Sequence, residues 1–162
     1  KYTEYSRLVL ALTAIGRDPR GVGGYDLLVP LADLERVAMQ GVNGPIYALL
    51  ALDSAGYEIP QNPDAAVQAT REGDLRYLLD AQTADGGWTL AGGSADADLT
   101  AMALCALAPY QADADAASAI GRGLACLSAM QAEKPAMLAA YDGIILLTAT
   151  GRCALSRRRD LK

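Results

Sequence analysis

The sequence predicts an all-α fold in which buried and amphipathic helices alternate in two concentric layers, an α/α toroid or an arc of one. Three observations carry this reading. The first is composition. Of 162 residues, 52% are hydrophobic and 20% charged, enough apolar content for a real core. That fraction is aliphatic, with 32 Ala and 24 Leu against one Trp and no Phe. Ala and Leu head the helix-propensity ranking, whereas a β-sandwich wants β-branched and aromatic strands.

The second observation is repetition. ALTAIG around Leu12, ALDSAG around Leu52, ALAPYQ around Leu107 and LLTATG around Leu147 share a Leu that recurs at intervals of 40, 55 and 40 residues. Gly16, Gly56 and Gly151 close three of these copies, at the place where a left-handed glycine ends a helix. Pro19 and Pro60 follow two of them. Such periods mark helical repeats, in which each unit needs its neighbours to bury an apolar face.

The third is the alternation itself. Segments 46–52 and 101–108 are apolar nearly all round and read as inner helices. Between them lie helices with one wet face. Residues 26–40 place Leu27, Leu31, Leu34 and Val37 together. Residues 63–82 open on Asn62–Pro63 and gather Leu75, Leu78 and Leu79, with Arg71, Glu72, Asp74 and Arg76 facing away. Residues 120–131 gather Ile120, Leu124 and Leu127. These outer helices end in Gln40, Gln82 and Gln131. Glycine turns follow the first two, and Pro45 is placed to open an inner helix. The expected organisation is one toroid domain or a fragment of one over residues 1–155, then a basic tail over 156–162.

Absences narrow the chemistry. There is no histidine, which removes Ser–His and Cys–His pairs, histidine bases and histidine metal ligands. The net charge of −5 argues against a nucleic-acid partner. The last twelve residues hold five basic side chains and Asp160, which leaves 9 basic and 18 acidic ones in residues 1–150. Cys105, Cys126 and Cys153 make no even disulfide framework, and the first two read as buried thiols. No metal and no cofactor is expected. No apolar run is long enough to span a membrane. No signal peptide is visible, and a chain that starts at Lys1 in helical sequence is expected to have been trimmed.

One stretch carries a resemblance. Gln82, Asp85, Gly86, Gly87 and Trp88, in QTADGGW, resemble the QW repeat of terpenoid cyclases and protein prenyltransferases. In physical terms, Gln satisfies backbone groups at a helix end and the indole covers it. DADLTAMA, from Asp96 to Ala103, resembles the Asp-x-Asp-Asp-Thr-Ala-Met segment of class II terpene cyclases. That resemblance would make Asp98 a general acid with Asp96 beside it. SRLVLALTAIGRDP, GYDLLVPLADL and QGVNGPIYALLALDSAGYEIP are similar to α/α-toroid modules of bacterial surface proteins with prenyltransferase/squalene-oxidase repeats. Cobalamin carriers use similar toroids.

The departures bear on function. Leu99 stands where the cyclase segment has its last Asp, and no His supports the acid. Gln131 is followed by AEKPAM, without Gly-x-Trp. A cation-stabilising cavity wants Phe, Tyr and Trp, yet Trp88 is the one indole. The pattern supplies about seven or eight helices, short of a complete α6/α6 ring.

The expectation is a non-catalytic ligand- or partner-binding module of a larger bacterial extracytoplasmic protein, secreted or at the cell surface. The alternatives are a class II cyclase-like enzyme using Asp98, or a cobalamin-type carrier. Asp96 and Asp98 read first as an N-cap and a first-turn carboxylate. Asp85 reads as part of a turn before a structural Trp. The Gly pairs at 23–24, 86–87 and 92–93 lack the strand a phosphate-cradling loop requires. Tyr47, Tyr110 and Tyr141 are binding candidates for a small apolar or isoprenoid-like ligand. Open helix edges predict self-association through the terminal hairpins.

Overall fold

Among the described residues there are six α-helices, several of them bounded by side-chain caps and by backbone pairing outside them. The computed structural model describes residues 2–90 and 92–133 and two three-residue strands, 145–147 and 153–155, with side chains through 131. Helix α1 (Tyr2–Ala14) closes with the Gly16 and Arg17 N–H groups on the carbonyls of Thr13 and Leu12, at 3.0 and 2.8 Å. Gly16 is left-handed there, at φ 72°. After it come α2 (Leu34–Ala38), α3 (Asn43–Asp53), α4 (Arg71–Asp80), α5 (Ala97–Leu107) and α6 (Ala114–Glu133). Between residues 2 and 133 there is no strand, so the all-α expectation holds for the body of the chain.

Two compact units divide the molecule, residues 1–81 and 82–162. In the first, α3 packs against α1, α2 and α4. Its Ile46, Ala48, Leu49, Ala51 and Leu52 are fully buried, as expected of a helix apolar on every side. Val9, Leu27, Leu28 and Leu31 close the core around Ala51 and Leu52. Each such leucine contributes about 1.5–3 kcal/mol on leaving water.

The segment expected as one outer helix over 26–40 is instead a 3-10 turn (Val29–Ala32) followed by the short α2. The break falls at Asp33, whose backbone is extended (φ −114°, ψ 99°). Across the break, the Leu34 N–H bonds the Val67 carbonyl and the Ala69 N–H bonds the Ala32 carbonyl, at 2.9 and 2.8 Å. Asp33 also holds the Arg36 and Ala66 N–H groups at 3.3 and 3.2 Å. A continuous helix would have used these backbone groups internally. The same pairing delays the next helix, expected from residue 63. It starts at Arg71, with the Thr70 hydroxyl taking the Gly73 N–H at 2.9 Å, while Asn62 turns the chain by accepting the Asp64 N–H. Pro45 is the third residue of α3 rather than the first, still inside the turn whose N–H groups need no helical partner.

In the second unit α5 packs against α6. Ala116, Ala119, Gly123 and Cys126 form the buried face of α6. Leu124, expected there, is 47% exposed, and Gln131 is exposed inside the helix rather than ending it. Small residues hold the contact because α6 comes very close to its neighbours. Ile145–Leu147 pairs antiparallel with Cys153–Leu155, where the repeat predicted a helix around Leu147. Tyr141, Gly151 and the tail 156–162 lie outside the described residues.

Gly44 fixes the distance between α2 and α3. A methyl group there would sit 1.9 Å from the Val37 carbonyl oxygen. Gly44→Ala is expected to destabilise the protein by about 2–3 kcal/mol, because backbone cannot move aside as a side-chain tip can. Urea unfolding measures this; a change within about 0.5 kcal/mol would mean that α2 docks loosely.

Candidate functional site

The QTADGGW stretch folds into a knot that joins the start of the second unit to α5 and α6. The Thr83 N–H bonds the Gly87 carbonyl at 2.9 Å, and the Gly86 N–H returns to the Thr83 carbonyl at 2.9 Å. Gly86 is left-handed, at φ 89°. A methyl at Gly86 would lie 2.9 Å from the Arg122 carbonyl oxygen, and one at Gly87 2.4 Å from the Ala95 Cβ and 2.5 Å from the Thr100 Oγ1. Both glycines are therefore demanded by close approach.

Trp88 leaves this turn in an extended bridge with Asp96. Its N–H bonds the Thr100 hydroxyl at 3.0 Å, and its carbonyl accepts the Asp96 N–H at 2.8 Å. The indole is completely buried. Gly123 of α6 lies against it: a methyl there would come within 3.0 Å of Trp88 Cζ3.

Gln82 works differently from the expected helix-end cap. Helix α4 ends at Asp80, before Gln82. The Gln82 amide donates to the Gly86 carbonyl at 2.7 Å and to the Ala119 carbonyl at 2.9 Å. Its oxygen accepts from the Arg122 guanidinium, with Nε at 2.9 Å. One side chain thus ties the turn to α6. Gln40 plays a related part in the first unit, where its oxygen accepts the Thr3 N–H in the opening turn of α1, at 3.2 Å. Asp85 holds the Ala95 N–H at 2.9 Å and pairs with the Thr83 hydroxyl. The hydroxyl and then the Ala95 N–H lower the Asp85 carboxyl below the usual aspartate range.

The two acids of the DADLT segment are both exposed. Asp96 is the N-cap of α5, taking the Leu99 N–H at 2.9 Å, and Asp98 lies in its first turn. Both occupy the helix-start positions read from the sequence. The sequence reading missed Thr83, Thr100, Arg122 and Gly123. Thr100 is the clearest of these, a fully buried hydroxyl inside the quoted segment.

Of the tyrosines, Tyr47 belongs to the first unit and Tyr110 to the second, and both are half-buried. Arg7 donates to the Tyr47 hydroxyl at 3.3 Å, with its guanidinium 4.8 Å from the ring centre. A shallow cleft of about 670 Å³ lies beside the end of α1, lined by Leu12, Ile15, Arg17, Asp18, Arg20, Gly21 and Val22. Cys105 and Cys126 are thiols, half-buried and buried. Among the described residues no three Cys, Asp or Glu side chains gather in a metal-binding group, and no helix is long and apolar enough to cross a membrane. Protein-family models, curated proteins and solved structures were all compared with this chain, and none matches it.

The chemically unusual group is Asp74, which the helical pattern placed on a wet face. It is completely buried in the first unit, and neither carboxylate oxygen has a hydrogen-bond partner among the described residues. One turn earlier, Arg71 is committed to the end of α3. It bonds Asp53 through Nε at 2.8 Å and the Leu52 and Tyr57 carbonyls at 3.2 and 2.6 Å. Burial pushes the Asp74 carboxyl up to about 7; the Arg71 charge pulls it down and the Asp53 charge adds to the rise. Asp33 shows the contrast. Burial raises it too, yet the Ala66 and Arg36 N–H groups and the Arg36 charge bring it below the normal value.

Two predictions follow from these groups. Trp88→Ala should cost about 3–5 kcal/mol, the usual loss for a buried large aromatic. A loss under about 1 kcal/mol in urea would mean that the ring is not part of the core. For Asp74, the folded state binds more protons than the unfolded state between pH ~4 and ~7. Its contribution to stability is therefore full at the acid end and is lost as pH rises through that window. Relative to Asp74→Asn, the wild type should lose about 2–4 kcal/mol between pH 4 and pH 8. Parallel unfolding curves for the two proteins across that range would show that the carboxyl is solvated.

Proposed function

We propose that this chain is a non-catalytic binding module of α/α-toroid type, part of a larger extracytoplasmic protein. The observation that carries the proposal is the use made of the acid segment. Asp96 is spent on capping α5 and Asp98 stands exposed beside it, while the surrounding Gln82–Trp88 framework is fully assembled. An acid that protonates an alkene or epoxide has to be enclosed with its substrate, away from water that would quench the cation. An exposed first-turn carboxylate lacks that enclosure.

The toroid reading draws on the pairing of helix types. In each unit a helix apolar on every side, α3 or α5, packs against a more polar one, α4 or α6. Inner and outer layers of a toroid are built from such pairs. Tyr47, with Arg7 on its ring and hydroxyl, and the half-buried Tyr110 are the candidate contacts for a small apolar or isoprenoid-like ligand or a protein surface. The extracytoplasmic setting rests on the resemblance to bacterial surface modules.

The deciding experiment is incubation with linear isoprenoids, both diphosphates and epoxides, with products analysed by mass spectrometry. No cyclised product is expected. Asp98→Asn should change stability by about 1 kcal/mol or less at neutral pH, since the Asp96 cap remains. A product made by the wild type and lost in Asp98→Asn would establish the enzyme instead.

A further inference from the structure

Histidine is absent, so a response of this protein to pH near neutrality has to come from a carboxyl, thiol or amine moved out of its usual range. The surroundings of Asp74 make it such a group. It is the fourth residue of α4 and completely buried, and no donor reaches either carboxylate oxygen among the described residues. An ionised carboxyl held out of water without hydrogen bonds is strongly disfavoured, so the docked helix keeps the neutral acid.

The charges that act on Asp74 are Arg71, on its own helix, and Asp53, on α3, against which α4 packs. Glu72, Arg76 and Asp80 of α4 are exposed, and Arg76 pairs with Asp80. From α2 this turn meets an apolar neighbour: a methyl at Gly73 would lie 3.5 Å from the Leu34 Cδ2. Arg71 stands three residues before Asp74, a spacing that sets two side chains on one face of a helix. Its bonds nevertheless run to the end of α3. They reach Asp53 at 2.8 Å and the Leu52 and Tyr57 carbonyls at 3.2 and 2.6 Å. Those two carbonyls bracket the turn after α3, where Gly56 is left-handed and the Tyr57 N–H bonds the Leu52 carbonyl at 2.7 Å. Arg71 is thus the clasp of that turn. An ionised Asp74 would present the same guanidinium with a second carboxylate, deeper than Asp53 and in a medium where opposite charges attract more strongly.

We propose that Asp74 and Arg71 form a proton-operated latch. With Asp74 protonated, the guanidinium clasps the turn between Leu52 and Tyr57 to the start of α4. When Asp74 gives its proton to solvent, the guanidinium turns inward to the new carboxylate and the turn is released. The clasped form holds the proton and the released form does not, so the latch is closed at acid pH and opens as pH rises. The Asp53 charge works with the clasp in two ways: it competes for Arg71, and it opposes ionisation of Asp74.

An NMR titration of the full chain from pH 4 to pH 8 tests this through the Asp74 carboxyl, the Arg71 Nε–H and the Tyr57 amide. The three signals should move together, with one midpoint well above the ordinary aspartate range and no loss of native dispersion. In Asp74→Asn, which fixes the neutral form, the Arg71 and Tyr57 signals should stay at their acid positions throughout. At pH 8 the Tyr57 amide of the wild type should exchange with solvent about tenfold faster than that of Asp74→Asn, and at pH 5 the two should match. Asp53→Asn should move the midpoint to lower pH. An Asp74 carboxyl that titrates in the ordinary aspartate range would overturn the proposal. So would Arg71 signals that do not follow Asp74, equal Tyr57 exchange in the two proteins at pH 8, a midpoint unmoved or raised in Asp53→Asn, or general unfolding in place of the local change.

Discussion

Helices with no phenylalanine and a single tryptophan must come close together to leave no void, and three glycines set how close. Gly44 lets α3 lie against the Val37 carbonyl of α2. Gly87 lets the turn before Trp88 lie on Ala95 and Thr100, and Gly123 lets α6 lie on Trp88 and Leu104. At each point a single methyl group would meet atoms at 3.0 Å or less. Aromatic cores bridge wide gaps between helices with large side chains. This Ala- and Leu-rich chain closes the gaps with backbone instead, and its caps and turns follow from that constraint.

The sequence made the helical class legible, and its two most apolar segments, 46–52 and 101–108, are helical and supply much of the buried surface. It misplaced what lies between. Of the grouped Leu27, Leu31, Leu34 and Val37, all but the half-buried Leu34 lie in the core, but periodicity does not show that Asp33 breaks the helix by pairing with residues 66–68. That pairing is non-local, and a local pattern carries no trace of it. Asp74 failed for a related reason. A charged residue is placed on the wet face by default, and only the packing of α4 on α3 shows otherwise.

The Gln82–Trp88 motif was legible as structure, and its chemistry was readable only in part. Residue types announced a turn and a buried indole, and both are present. The partner of Gln82 was not announced. The carbonyl it holds belongs to Ala119 and the guanidinium it receives to Arg122, both in a helix more than thirty residues away whose own sequence gives no signal of the contact. Asp96 could be assigned to a cap because N-capping is local: the N–H it accepts belongs to Leu99, three residues on.

The buried thiol of Cys126 gives this knot a built-in clock. It is 7% exposed, and a methyl at Gly87 would come within 3.1 Å of its sulfur. Burial and then the Asp85 charge raise its pKa, so geometry and ionisation both keep it from electrophiles while the turn is closed. Reagent reaches the sulfur only when the turn lifts from α6. The rate at which an alkylating agent consumes Cys126 in the native protein therefore reports the opening free energy of this one corner, separately from global unfolding.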